Sequence, residues 1–334
     1  MAKKILSIDG GGIRGIIPAM ILAEVEKCTK KPICELFDLI AGTSTGGILA
    51  VFLTAPQGAS KTPAYTAQEI IVFYEQEGKH IFDRSIYHTI HSMWGLADSK
   101  YPSDGIKSII EEKLLNTTLK DVLTNIIITS YEIELRQPLF FKSKKAKTDK
   151  EHNFKLTDII LATSAAPTYF EPHKIDNRNI PEKDKIGSTC SHIHNKNYYS
   201  LIDGGVYANN PAMCAYVEAL TMFPNEKDFI MVSMGAGKYE RCLHHDKAKD
   251  WGLAAWTKSL LDVVFDGISD TISYQLEQIL NKTYYRFQAN LTKGNDDMDD
   301  ASNTNIFALK AIANEIISTH KKEIEDLCER LLLN

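Results

Sequence analysis

The chain has 334 residues, 44% of them hydrophobic and 24% charged, with a formal net charge of −5. This is enough apolar mass for a large core in one domain or two, and the acid excess excludes a nucleic-acid binder that works through a broad basic surface. No run of about 18 apolar residues occurs, so no transmembrane helix is expected.

Met1 to Lys4 leads directly into the apolar stretch Ile5 to Ile8 with no small-residue cleavage site, which reads as a strand and not as a signal peptide. Lys4 to Ile8 is thus a first buried strand. Ile16 to Lys27 follows as an amphipathic helix, apolar at Ile17, Met20, Ile21 and Val25. Between them lies Asp9-Gly10-Gly11-Gly12-Ile13-Arg14-Gly15. Three glycines in a row carry a high conformational entropy cost, so something requires the backbone there to be bare. Two uses fit. One is an anion cradle of successive N–H groups at a helix start; the other is an oxyanion hole in which Gly11 and Gly12 face the charge developing on a carbonyl. A dinucleotide site fits poorly, because the acids that should close a second strand, Glu24 and Glu26, fall inside the helix.

The apolar run Phe37, Leu39, Ile40 and Ala41 predicts a short buried strand, and Ile48 to Leu53 a buried helix. The joint, Gly42-Thr43-Ser44-Thr45-Gly46, fits the G-x-S-x-G elbow. In that turn the glycines let strand and helix backbones approach, and the serine hydroxyl rises out of the sheet beside a helix N-terminus. By itself the pentapeptide is equally a plain turn of small residues.

Pro56 to Pro63 reads as an exposed loop, and Ala67 to Gly78 as a helix. Residues 82–103, rich in aromatics and histidines, have no clean period and are either a lid over a site or an irregular connection packed on the core. Ser103 or Asp104 caps a helix running to Leu115, Asn125 to Ser130 is a β-branched strand, and Leu139 to Phe141 is another. Lys142, Lys144, Lys145, Lys147 and Lys150 then cluster in one polar loop, read as solvated, with an anionic bilayer as the alternative partner. Thr157 to Thr163 is helical up to Pro167. Asn177 to Lys196 is polar and holds Cys190, His192 and His194, which lack the second ligand pair of a zinc site.

Tyr198 to Ile202 predicts a strand ending at Asp203-Gly204-Gly205, where the aspartate is either a turn former or a polar group held at the sheet edge. Pro211 starts a helix over Ala212 to Met222, and Phe229 to Met234 is a further strand. Trp251 to Ile268 has helical spacing that Ile272 to Leu280 can continue, packing on the core or presenting a stripe to substrate or membrane. The acidic run Gly294 to Asp300 is not an EF-hand, since glycine and glutamate are missing at the sixth and twelfth positions. Asn305 to Leu333 reads as one long amphipathic helix.

Three motifs therefore stand in order: Asp9-Gly-Gly-Gly-Ile-Arg-Gly15, Gly42-Thr-Ser-Thr-Gly46 and Asp203-Gly-Gly205. Together with Ala162-Thr-Ser-Ala-Ala-Pro-Thr-Tyr-Phe170, Asn209-Asn-Pro211 and Asp299-Asp-Ala-Ser302, they closely resemble the patatin-like phospholipases, which are related in fold to the catalytic domain of cytosolic phospholipase A2. The resemblance implies an α/β fold, three layers α/β/α about a central, mostly parallel sheet, and a Ser–Asp dyad. Ser44 falls on the nucleophile and Asp203 on its general base and acid. Gly11, Gly12 and Arg14 fall on the oxyanion loop, with Asp9, Gly10, Gly15, Gly42, Gly46, Gly204 and Gly205 supporting the motifs.

The expectation is one catalytic domain over 1–334 that hydrolyses fatty-acyl esters of phospholipids or lysophospholipids through an acyl-enzyme. It would need no cofactor and no metal, touch a membrane surface transiently and take no nucleic acid; the oligomeric state is open. A regulated or inactive lipid-binding protein of the same fold is the alternative. The six cysteines are scattered with no C-x-x-C pair, which with the missing leader points to a cytoplasmic protein associating peripherally with membrane.

Overall fold

A computed structural model describes residues 2–82, 104–167, 169–176, 196–238, 243–291 and 297–333. Its frame is a sheet of eight strands: β1 (Lys3–Ile8), β2 (Leu39–Gly42), β3 (Asn125–Glu132), β4 (Gln137–Lys142), β5 (His173–Ile175), β6 (Tyr199–Asp203), β7 (Phe229–Met234) and β8 (Tyr284–Phe287). β1 lies at the centre, with β2 and β7 parallel to it on either side, β3 parallel to β2 and β8 parallel to β7. Strands covered on both faces read as continuous apolar runs. β7, Phe-Ile-Met-Val-Ser-Met, is buried at every position.

Alternation along the strands splits the core into two layers. Leu6, Ile8, Ile40, Ile126 and Ile128 face one side, with α1 (Ile16–Thr29), α2 (Thr45–Thr54), α3 (Ala67–Phe82), α4 (Asp104–Leu114), α5 (Leu156–Ser164), α8 (Asn303–Thr319) and α9 (Lys321–Leu332). Ile5, Leu39, Ala41, Ile127 and Met231 face the other, with α6 (Ala212–Met222) and α7 (Leu253–Leu280). A one-residue register slip in any central strand would exchange these two sets.

The pairing of β3 sets up the site. β4 runs along one edge of β3 from Ile127 to Glu132. A strand has only two edges, so β2, paired at Asn125–Ile128, and β6, paired antiparallel at Ser130–Glu132, share the other. They approach from opposite directions and meet end to end beside Thr129. The residue two past Gly42 is Ser44, and the last residue of β6 is Asp203.

Two expectations change, and two short strands are added. The predicted helix 305–333 is two helices broken at His320, whose ring packs edge-on against Phe287 at 5.9 Å while its Nδ1 bonds Glu323 at 2.8 Å. The break turns Ile324, Leu327 and Leu331 into the core. β5 and β8 lack a sequence signal of their own, having three and four residues. The helical spacing from Trp251 and its expected continuation through Leu280 form one helix of 28 residues. The lysine loop holds a helical turn at Ser143–Ala146 and a 3-10 turn at Lys150–His152. Residues 83–103 of the expected lid 82–103, and the Cys190, His192 and His194 segment, lie outside the described residues.

Candidate active site

Ser44 is the residue before α2 and adopts φ 54°, ψ −123°. A left-handed φ on a non-glycine residue costs about 1–3 kcal/mol and persists only where the surroundings hold it. Here they do: the Ser44 N–H donates to Thr163 Oγ1 at 2.9 Å, and Thr163 in turn donates to the carbonyl of Thr129 at 2.7 Å. Gly46 must lack a side chain, because a Cβ there would stand 2.1 Å from the Ile8 carbonyl oxygen. The elbow is thus pressed onto the end of β1.

Asp203 arrives from the opposite side. Its N–H donates to the Ala165 carbonyl at 3.0 Å, and its Oδ1 accepts the Gly205 N–H at 2.7 Å. The stretch beginning at Ala162 therefore braces both residues, Thr163 holding the serine and Ala165 the aspartate. The Ser44 side chain lies beside the Asp203 carboxylate and favours its charged form. Burial pushes the Asp203 pKa up to about 6, opposed by that side chain and by the Gly205 N–H. A carboxylate with raised proton affinity against a serine hydroxyl is a candidate base. Gly204 packs on Thr129, and Asn209 Oδ1 lies where it would meet a Cβ added at Gly10 or Gly205, so Asn209 stands between the aspartate and the glycine loop.

The glycine loop leaves β1 at Asp9. The Gly10 N–H is taken by the Asn209 carbonyl, while those of Gly11 and Gly12 have no backbone partner among the described residues. Gly12 has φ +58°, and a Cβ there would stand 2.1 Å from the Met298 carbonyl oxygen. That carbonyl accepts the Ile13 N–H at 2.9 Å, so the turn around Met298 is the seat of the loop. Arg14 is buried and its Nε donates to the Gly11 carbonyl at 3.2 Å. The peptide between Gly11 and Gly12 is trans, so holding its carbonyl turns the Gly12 N–H the other way. Arg14 thus orients the loop through its backbone. Gly15 ends the following turn against Thr45 and Tyr74, whose hydroxyls bond each other, and a Cβ at Gly42 would meet the backbone of Gly46.

Asp9 is 2% exposed and ion-pairs with Arg286 at 2.6 Å. Burial raises its pKa, opposed by the Arg286 charge. Sequence reasoning missed Arg286, on a four-residue strand with no motif around it. Among the described residues no group of three or more His, Cys, Asp or Glu is placed to hold a metal ion, and no helix is long and apolar enough to cross a membrane. His152, His173 and His320 bond Asp149, Asp158 and Glu323, away from Ser44.

A mostly parallel sheet between helices, with a strained strand-to-helix turn at Ser44 beside a buried Asp203, makes this an α/β protein of three layers. The family profile described as Patatin-like phospholipase matches residues 6–216. Patatin-like protein 4 of Arabidopsis thaliana is 33% identical, covering 95% of this chain and 83% of its own. Probable inactive patatin-3-Kuras 1 of Solanum tuberosum is 31% identical, covering 96% and 87%. The solved structure of VipD from Legionella pneumophila covers 96% of this chain and 67% of its own at 14% identity, with a TM-score of 0.46. The chain belongs to the patatin-like phospholipase family.

Proposed function

We propose that the protein hydrolyses fatty-acyl esters of phospholipids or lysophospholipids through Ser44 and Asp203. The single observation behind this reading is that the strained elbow brings the Ser44 side chain beside a buried Asp203 that has no cation partner among the described residues. Ser44 Oγ attacks the ester carbonyl while its proton passes to Asp203. The oxyanion is received by the Gly11 and Gly12 N–H groups and the N-terminus of α2. Collapse expels the alcohol, which takes the proton back from Asp203, and water releases the fatty acid by the same steps. With a pKa of about 6, Asp203 is mostly ionised at neutral pH and competent to accept that proton. Arg14 positions the loop. A whole-chain domain, transient membrane contact and the absence of a cofactor complete the proposal.

An inactive lipid-binding protein is the competing reading, and one relative carries the word inactive in its name. The retained strain at Ser44 argues for activity, since a lapsed site has no use for it. The test is lipid analysis of mixed phospholipid vesicles after incubation with wild-type and Ser44→Ala protein. Fatty acid released by wild type and not by Ser44→Ala is expected; release by pure Ser44→Ala refutes the assignment.

A further inference from the structure

Arg286 lies well outside the stretch 6–216 that carries the family signature, yet it reaches the first residue of the glycine loop. Its Nη2 donates to Asp9 Oδ2 at 2.6 Å, and its Nη1 donates to Ser233 Oγ at 2.8 Å. Nη2 also lies 3.4 Å from Ser269 Oγ on α7. Asp9 is fixed at two points: its N–H donates to the Met234 carbonyl, and its side chain is held by Arg286 alone among the described residues. The other carboxylate oxygen, Oδ1, is buried with no hydrogen-bond partner among the described residues, as is the hydroxyl of Ser7 two residues earlier on β1.

A buried carboxylate with one orphan oxygen depends on its remaining partner. Removing the cation leaves an uncompensated charge, which the chain relieves by taking up a proton or by turning Asp9 out of place. Either response acts on Gly10, the next residue, whose neighbours are Asn209 and Ser44. An unpaired negative charge at this point would also oppose the negative charge growing on a substrate oxygen.

We propose that Arg286 is a positioning residue for the reaction. It holds Asp9, and through Asp9 the glycine loop, in the geometry that aims the Gly11 and Gly12 amides at the oxyanion. This rests on the acyl-hydrolase reading of Ser44. Arg286 touches no reacting atom; its effect falls on the transition state and not on substrate binding. Losing a single oxyanion donor lowers kcat by roughly 10²–10³-fold, which bounds the effect of misaiming the loop.

The experiment measures hydrolysis of p-nitrophenyl butyrate by wild type, Arg286→Ala, Arg286→Lys, Asp9→Asn and Ser44→Ala, with thermal melting of each. Expected are a kcat about 10²-fold lower in Arg286→Ala with KM within about threefold, and partial recovery in Arg286→Lys. Guanidinium at about 50 mM should rescue Arg286→Ala, and methylammonium should not; Asp9→Asn should lose kcat and gain nothing from guanidinium. Wild-type kcat in folded Arg286→Ala overturns the proposal, as does a loss that follows the unfolded fraction and answers to no guanidinium. If Arg286→Ala does not fold, Arg286→Lys and Asp9→Asn decide it, and wild-type kcat in both overturns it. Turnover that depends on Ser44 but not on Arg286 sinks this inference alone, whereas turnover retained by Ser44→Ala sinks the acyl-hydrolase reading with it.

Discussion

Asp203 and Glu132 are buried carboxylates on neighbouring strands, and they are treated in opposite ways. Glu132 is met by a cation and by backbone: Lys196 Nζ at 2.6 Å, the Ser200 N–H at 3.0 Å and the Leu135 N–H at 2.6 Å. Both members of that ion pair are shut away, with side chains 0% and 1% exposed. Asp203 accepts one N–H, lies beside the Ser44 side chain and has no cation partner among the described residues, and burial lifts its pKa to about 6. A carboxylate filled by a lysine and two amides is a tie between chain segments. One left with a serine hydroxyl keeps its affinity for that serine's proton. On the proposed reading the sheet spends one acid on cross-linking β3 to the entry of β6 and reserves another for chemistry.

Breaking the reserved acid has the largest expected effect. Ser44→Ala and Asp203→Asn should each lower kcat/KM on phospholipid vesicles by about 10³-fold or more, about 4 kcal/mol in barrier, while far-ultraviolet circular dichroism stays native. Breaking the tie should act on stability instead. Lys196→Met leaves Glu132 buried and unpaired, which costs about 3–5 kcal/mol in urea unfolding. The double variant Lys196→Met with Glu132→Gln should recover part of that loss, because no fully buried charge is left bare and Glu134, the other partner of Lys196, is partly exposed.

The comparison sharpens with pH. Burial raises Asp203 from 3.8 to about 6, so its contribution to stability is complete below about pH 3.8 and is lost as pH rises through 6. An asparagine in its place would carry no charge to desolvate. Asp203→Asn should therefore be more stable than wild type above pH 6, by about 1–3 kcal/mol, and lose the advantage near pH 4, as read from paired urea melts. The smallest effect belongs to the lysine cluster. Lys142 pairs with Glu218 at 2.6 Å and Lys144 donates to the Met222 carbonyl. Both tie the end of β4 to α6, where partly exposed pairs contribute about 0–1 kcal/mol. Lys142→Ala with Lys144→Ala should leave vesicle hydrolysis within about twofold and shift urea unfolding by no more than about 1 kcal/mol.

Much of the frame was legible because it is written locally. The glycine run at Gly10–Gly12 and the serine between Gly42 and Gly46 each mark a backbone that must be bare or strained, and β7 announces itself by an unbroken apolar run. What escaped depends on distant segments. The periodicity of Ile306 through Leu331 continues across His320, so only packing against Phe287 reveals the break. That β2 and β6 share one edge of β3, which brings Ser44 to Asp203, follows from pairings between residues far apart in the chain. Arg286 sits in Tyr-Tyr-Arg-Phe with nothing local to set it apart, and its importance comes from Asp9 at the other end of the sequence.

The central claim is that Asp203 is the proton acceptor for Ser44. Its most direct test is the rate of Ser44 modification by a fluorophosphonate, measured from about pH 4.5 to 8.5 in wild type and Asp203→Asn. The predicted result is a rate that rises with pH to a plateau, half-maximal near pH 6, in wild type, and slow labelling without that limb in Asp203→Asn. A limb that persists in Asp203→Asn would place the base elsewhere and contradict the account.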